Sequence, residues 1–113
     1  MGLCITRGVG TGWYGGVNLD TQIPETTFDH KVFVKRIRDS KRRQEVFLNI
    51  EDKDGETAQV LEVDETLVLG TCVVRFLEVQ SFYENGQRLI QARFLMEAPK
   101  DYAIIRNNAR KRQ

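Results

Sequence analysis

Short stretches of β-branched and aromatic residues recur along this chain between turn signals, and no window keeps apolar residues at helical spacing beyond about two turns. The pattern predicts strands near residues 3–7, 13–15, 31–37, 44–50, 57–63, 66–69, 72–79, 87–96 and 102–105. Asn85-Gly86 lies between two of these, and both residue types accept the positive φ of a tight hairpin turn. Along the first arm, Cys72, Val74 and Phe76 alternate with Val73, Arg75 and Leu77, so one face should be the more deeply buried. Arg38-Asp39-Ser40-Lys41-Arg42-Arg43 predicts a second, more polar hairpin connection, and residues 17–29, with Pro24 and no periodicity, a surface loop or linker. The expected fold is a small all-β antiparallel sandwich or barrel.

With 113 residues the chain fits one compact domain with a single core. A faint repeat divides it. Val32-Phe33-Val34-Lys35-Arg36-Ile37 aligns with Cys72-Val73-Val74-Arg75-Phe76-Leu77, and Val46-Phe47-Leu48-Asn49-Ile50-Glu51 with Ala92-Arg93-Phe94-Leu95-Met96-Glu97. Few identities support the match, so two readings stay open: two fused degenerate units, residues 1–57 and 58–113, or the general likeness of amphipathic hairpins.

Charge removes one class of explanation. Lys and Arg number 17 against 16 Asp and Glu, so no global field drives bulk nucleic-acid binding, and any affinity for phosphate must come from local clusters. Two such clusters stand out, Arg38 with Lys41, Arg42 and Arg43, and Arg110, Lys111 and Arg112 near the end. No apolar run approaches the ~18 residues of a membrane helix, and no signal-peptide pattern opens the chain, which points to a cytoplasmic protein. Cys4 and Cys72 both sit in apolar strand patterns and are expected as small buried hydrophobes.

Other candidate chemistry is thin. Gly10-Thr11-Gly12-Trp13-Tyr14-Gly15 satisfies a bare GxGxxG pattern, but no helix follows to form a dinucleotide site, so the glycines are read as a β turn with Trp13 and Tyr14 over an apolar face. His30 is the single histidine and has no ligand set around it, and Asp52, Asp54 and Glu56 lack the remaining ligands of a calcium loop. No catalytic constellation emerges. The expectation is a protein that is not an enzyme and takes no metal or cofactor.

The termini carry the most specific signal. Leu3-Cys4-Ile5-Thr6-Arg7, Val63-Asp64-Glu65-Thr66-Leu67-Val68-Leu69-Gly70 and Ala98-Pro99-Lys100-Asp101-Tyr102-Ala103-Ile104-Ile105-Arg106 resemble the opening strand, the Val-Gly-Glu-Thr-Leu-x-Ile-Gly segment and the Ala-Pro-Lys turn with its arginine-ended last strand of the carbon storage regulator (CsrA/RsmA) family of RNA-binding translational regulators. The second half resembles nearly a whole family subunit, but residues 58–62 lack the Leu-Thr-Arg signature, which appears instead as Ile5-Thr6-Arg7. Family members exchange first and last strands between two identical chains, and each RNA site combines one of each.

The resemblance therefore implies one composite site for a GGA-containing RNA loop, built from Ile5, Thr6 and Arg7 with Lys100, Tyr102, Ala103, Ile104, Ile105 and Arg106. Guanidinium donors suit phosphate or guanine edges. The complementary site would use residues 57–62 and the acidic Glu51-Asp52-Lys53-Asp54-Gly55-Glu56, and is expected to be inert toward RNA. The family's terminal helix is reduced here to a short basic helix or tail. A monomer with one composite site and a strand-exchanged homodimer both fit, as does a second role, a protein-interaction module or antagonist of a CsrA-like regulator.

Overall fold

A computed structural model describes residues 2–107, so Arg110, Lys111, Arg112 and the expected terminal helix or tail lie outside the described residues. The described residues form nine strands: β1 (Gly2–Gly8), β2 (Gly12–Gly16), β3 (His30–Asp39), β4 (Gln44–Asp52), β5 (Gly55–Glu62), β6 (Thr66–Leu69), β7 (Cys72–Glu84), β8 (Gln87–Glu97) and β9 (Ala103–Asn107). One four-residue helix, α1 (Pro24–Thr27), interrupts the expected loop; proline suits its first turn, and the Thr26 and Thr27 hydroxyls donate to the Ile23 carbonyl. The fold is all-β and antiparallel, in two sheets.

Alternation decides the core. One sheet runs β1-β8-β7-β6 and the other β5-β4-β3-β2-β9. Val32 and Val34 of β3, Val46, Leu48 and Ile50 of β4, Val74 and Phe76 of β7, and Phe94 and Met96 of β8 turn the same way, into the space between the sheets. Trp13 is fully buried there, its ring 5.3 Å from that of Phe94, which lies 5.8 Å from Phe76. Asn85 (φ 54°) and Gly86 (φ 80°) close the β7–β8 hairpin with two left-handed residues, as Asn-Gly predicts.

The two sheets share a plan. Each has a hairpin at its centre, β3–β4 or β7–β8, flanked by the preceding strand of its own half, β2 or β6, and by the opening strand of the other half, β5 or β1. Each hairpin has a register shift on its first arm, between Val34 and Arg36 in β3 and between Phe76 and Glu78 in β7. Aligned on these bulges, Leu48 matches Phe94 and Ile50 matches Met96, as the sequence suggests, but Val32 falls on Val74 rather than on Cys72. A slip of two residues leaves every side chain on its own face, so hydrophobic pattern alone cannot distinguish the two alignments. The plans differ in one element: β9 covers the outer edge of β2, while among the described residues no strand covers the outer edge of β6.

Candidate nucleic-acid interface

β1 and β9 are the edge strands of different sheets. β1 pairs along its length with β8, from Gly2 opposite Glu97 to Gly8 opposite Gln91, and β9 pairs with β2, from Ala103 opposite Gly16 to Asn107 opposite Gly12. Their other edges meet on the same side of the sandwich. Gly2 and Leu3 line a depression of about 280 Å³ together with Pro99, Lys100, Tyr102 and Ile104, and at the far end Val9 and Gly10 share another with Asn107. The two edge strands therefore lie on the same side of the sandwich, bordering shared depressions at both ends, and this side is here termed the closed seam.

Local chemistry explains how β9 is aimed. Pro99 cannot donate to a ladder and ends the β8 run; its carbonyl accepts the Tyr102 N–H at 3.1 Å, closing the Pro99–Tyr102 turn. Tyr102 then drops into the core beside Gly15, where a Cβ would stand 2.4 Å from the Tyr102 Oη, so only glycine admits the ring. Burial pushes the Tyr102 phenol up, with Cys72 and Asp29 adding to the effect.

The structure sorts the implied site residues into two groups. Ile5 (2 % exposed) and Tyr102 (7 %) are core side chains, so they can offer a ligand only backbone groups. Arg7, expected at the surface, is 7 % exposed, because it shares the inner face with Ile5 two residues earlier and lies opposite Ala92. Thr6, Ala103, Ile104 and Ile105 are half-buried, and Lys100 and Arg106 are exposed. Thr6 lies on the outer face opposite Arg93, whose Nη1 donates to Glu78 Oε2 at 3.0 Å; that hydrogen bond, followed by the nearby Cys4, holds the guanidinium more firmly protonated. Cys4 is exposed, contrary to expectation, because its position in β1 faces outward while Ile5 faces the core.

The expected phosphate cluster is largely committed to carboxylates. Arg38 and Arg43 approach Glu45 at 3.6 and 3.7 Å, and Arg43 also approaches Glu62 at 3.9 Å. Lys41 and Arg42 stand exposed on the turn, which Ser40 closes by donating its hydroxyl to the Arg43 carbonyl. Arg88, not among the sequence candidates, joins this group by donating to Asp39 at 3.0 Å, and with Asp39, Lys41, Arg42 and Arg43 it lines an open depression of about 670 Å³. Its position, 49 residues beyond Asp39, left no local signal.

A further face borders the closed seam. Tyr14, Lys31, Phe33, Lys35 and Asn49 line a groove of about 650 Å³ on the outer side of the β9-containing sheet, with the Lys31 Nζ 5.1 Å from the Phe33 ring centroid. Burial, with Glu25 and Glu51 nearby, raises the Tyr14 phenol. Among the described residues no three His, Cys, Asp or Glu gather as a metal site, and no helix is long and apolar enough to cross a membrane. Protein-family models, curated proteins and solved structures give no match to this chain, so the carbon storage regulator resemblance rests on the sequence motifs alone.

Proposed function

We propose that the chain is a cytoplasmic RNA-binding translational regulator, taking a GGA-type loop along the closed seam and blocking initiation by occupancy. The observation that carries this reading is that residues 2 and 3 border the same depression as residues 99, 100, 102 and 104, so the two motif-bearing strands are neighbours in space though they lie at opposite ends of the sequence. Among the described residues no strand pairs with the outer edges of β1 and β9, so these edges can offer backbone groups to unstacked bases, and exposed Lys100 and Arg106 supply charge beside them. Arg7, mostly buried, acts mainly by shaping the β1 edge, and Arg106 becomes the stronger candidate for direct contact.

Titration of the purified chain with a GGA hairpin and with the same hairpin carrying a mutated loop tests this. Loop-dependent binding at one RNA per chain is expected, and Arg106→Ala should weaken it by ~1 to 3 kcal/mol if the guanidinium reads a base edge. Equal affinity for both hairpins, or no effect of Arg106→Ala, overturns the reading.

A further inference from the structure

The outer face of the β9-containing sheet carries chemistry that its place in the fold does not require. Aligned on the bulges of the two hairpins, Phe33 matches Arg75, Lys35 matches Leu77 and Asn49 matches Leu95, while the cross-strand pair Tyr14 and Lys31 matches Val68 and Val73. One sheet fills these five positions with four aliphatic side chains and an arginine. The other fills them with two aromatics, two lysines and an amide. Strand pairing and the core are satisfied either way, so the second set answers to something outside the fold.

Together the five line the groove of about 650 Å³. Phe33 is half-buried there, and Tyr14 is 8 % exposed with its ring 5.6 Å from that of Phe28. The Lys31 Nζ rests 5.1 Å from the Phe33 ring centroid and 5.9 Å from that of Tyr14, and its charge is offset by Glu51 at 3.9 Å. Glu56, the carboxylate that lines the groove, accepts the Asn49 Nδ2 at 3.3 Å, which leaves the Asn49 carbonyl and a second N–H for another partner. Lys35 supplies the spare charge. It is the extra residue of the β3 bulge, a device that re-aims a side chain, and it is exposed with no ion pair among the described residues.

The groove begins where the closed seam stops. The Gly10 N–H donates to the Val34 carbonyl and the Val34 N–H to the Thr11 carbonyl, both at 2.9 Å, so the corner after β1 is pinned against the bulge. Val9 and Gly10 therefore border the groove, as does Asn107 at the end of β9.

We infer that this groove holds one unpaired nucleotide of the RNA strand that runs on from the closed seam, its base against the Phe33 ring, its polar edge at Asn49 and its phosphate at Lys35. The inference rests on the RNA reading above and extends the bound strand beyond the GGA core. An aromatic ring offers a stacking face to any base, an amide can pair with a base edge, and an unpaired ammonium neutralises one phosphate. A nucleotide uses all three together, whereas the matching face of the other sheet offers only the charge of Arg75.

The test is a hairpin with an enlarged GGA loop in which each unpaired nucleotide outside GGA is replaced in turn by an abasic residue, titrated into the native chain and into Phe33→Leu. One abasic position should weaken binding to the native chain about ten-fold. Phe33→Leu, which keeps an apolar side chain on the strand, should bind the intact RNA about ten-fold more weakly and lose nothing further at that position. Lys35→Gln, at an exposed position, should lower the salt slope of binding by about one and leave loop discrimination unchanged. The abasic series on the native chain leaves the protein unaltered, so misfolding of a variant does not obscure it. Three results overturn the inference: no abasic position matters, the abasic loss persists in full in Phe33→Leu, or the salt slope is the same in Lys35→Gln. Loop-dependent binding with no abasic effect removes the groove and keeps the seam; a Phe33-dependent abasic loss with equal affinity for GGA and mutated loops does the reverse. Absence of RNA binding overturns both.

Discussion

The closed seam and the open seam on the other side of the sandwich, between β5 and β6, are built from matching strands: Leu3 and Thr57 are both exposed and Arg7 and Leu61 both buried, but the position between them differs. At the closed seam, Ile5 faces the interior opposite Phe94 and is 2 % exposed, with Tyr102 also folded into the core beside β9. At the open seam, Gln59 occupies the matching place opposite Leu48 and stays in solvent. The presence of one five-residue strand separates them. Burial at an inner-face position thus depends on the covering neighbour as much as on the residue, and the polar choice at Gln59 is what an uncovered position tolerates.

The sharpest way to break this comparison is to truncate both residues. Ile5→Ala should cost about 2 to 4 kcal/mol in denaturant unfolding, through lost burial and a cavity, whereas Gln59→Ala should stay within about 0.5 kcal/mol. Equal losses would mean the seams are equivalent after all.

Gly15→Ala follows. The added methyl meets Tyr102 at 2.4 Å and should cost about 1 to 3 kcal/mol by pushing the ring off the closed seam. Tyr102→Phe, which removes the nearest atom, should recover part of that loss when combined with it. Strict additivity in the double-mutant cycle would show the contact is not the cause.

Cys72 touches both regions, since it pairs with Leu69 of β6 and its charge is felt by Tyr102. Burial raises its thiol from 9.0 to about 11. Below the unfolded value both states keep the proton and no stability is lost. Between the two values only the unfolded chain ionises, so stability should fall with rising pH by at most about 1.4 kcal/mol per unit and level off above the folded value. Cys72→Ala should remove that part of the slope. With the native chain at neutral pH, alkylation should modify exposed Cys4 and spare Cys72; fast modification of Cys72 would indicate that the open seam frays.

Arg88→Ala should have the smallest effect. Its exposed pair with Asp39 contributes about 0 to 1 kcal/mol and is weakened by salt. A larger loss would mean that the β7–β8 arm is held to the β3–β4 turn by more than this contact.

Much of the local structure was legible because it depends on near neighbours. Alternation located all nine strands to within a few residues, although β7 runs five residues past the expected Val79, to Glu84, where turn geometry rather than burial sustains the pairing. The pairing of β1 with β8 had no local signal in the residues themselves, unlike that of β5 with β4, which the two-residue turn at Lys53-Asp54 joins as neighbours. It is a choice among partners of equal pattern, made by packing across the whole molecule. The site residues divide in the same way. Pro99 and the turn after it follow from proline's missing donor, whereas the burial of Arg7 and the exposure of Cys4 depend on which way β1 faces when it joins β8. Arg88 and Asp39 meet only because two hairpins lie side by side.

The crossed pairing of the opening strands also sets the order in which the molecule can assemble. β2 to β5 are consecutive and can form a four-stranded sheet as soon as residue 62 is in place. β1 must wait for β8, which ends at Glu97, and β2 must wait still longer for β9. Closing so long a loop adds an entropic delay before any contact rewards it, so the first strand made is among the last to be used. During synthesis the N-terminal segment should stay exposed until nearly the whole chain has emerged, and the RNA edge proposed here would form only in the finished protein.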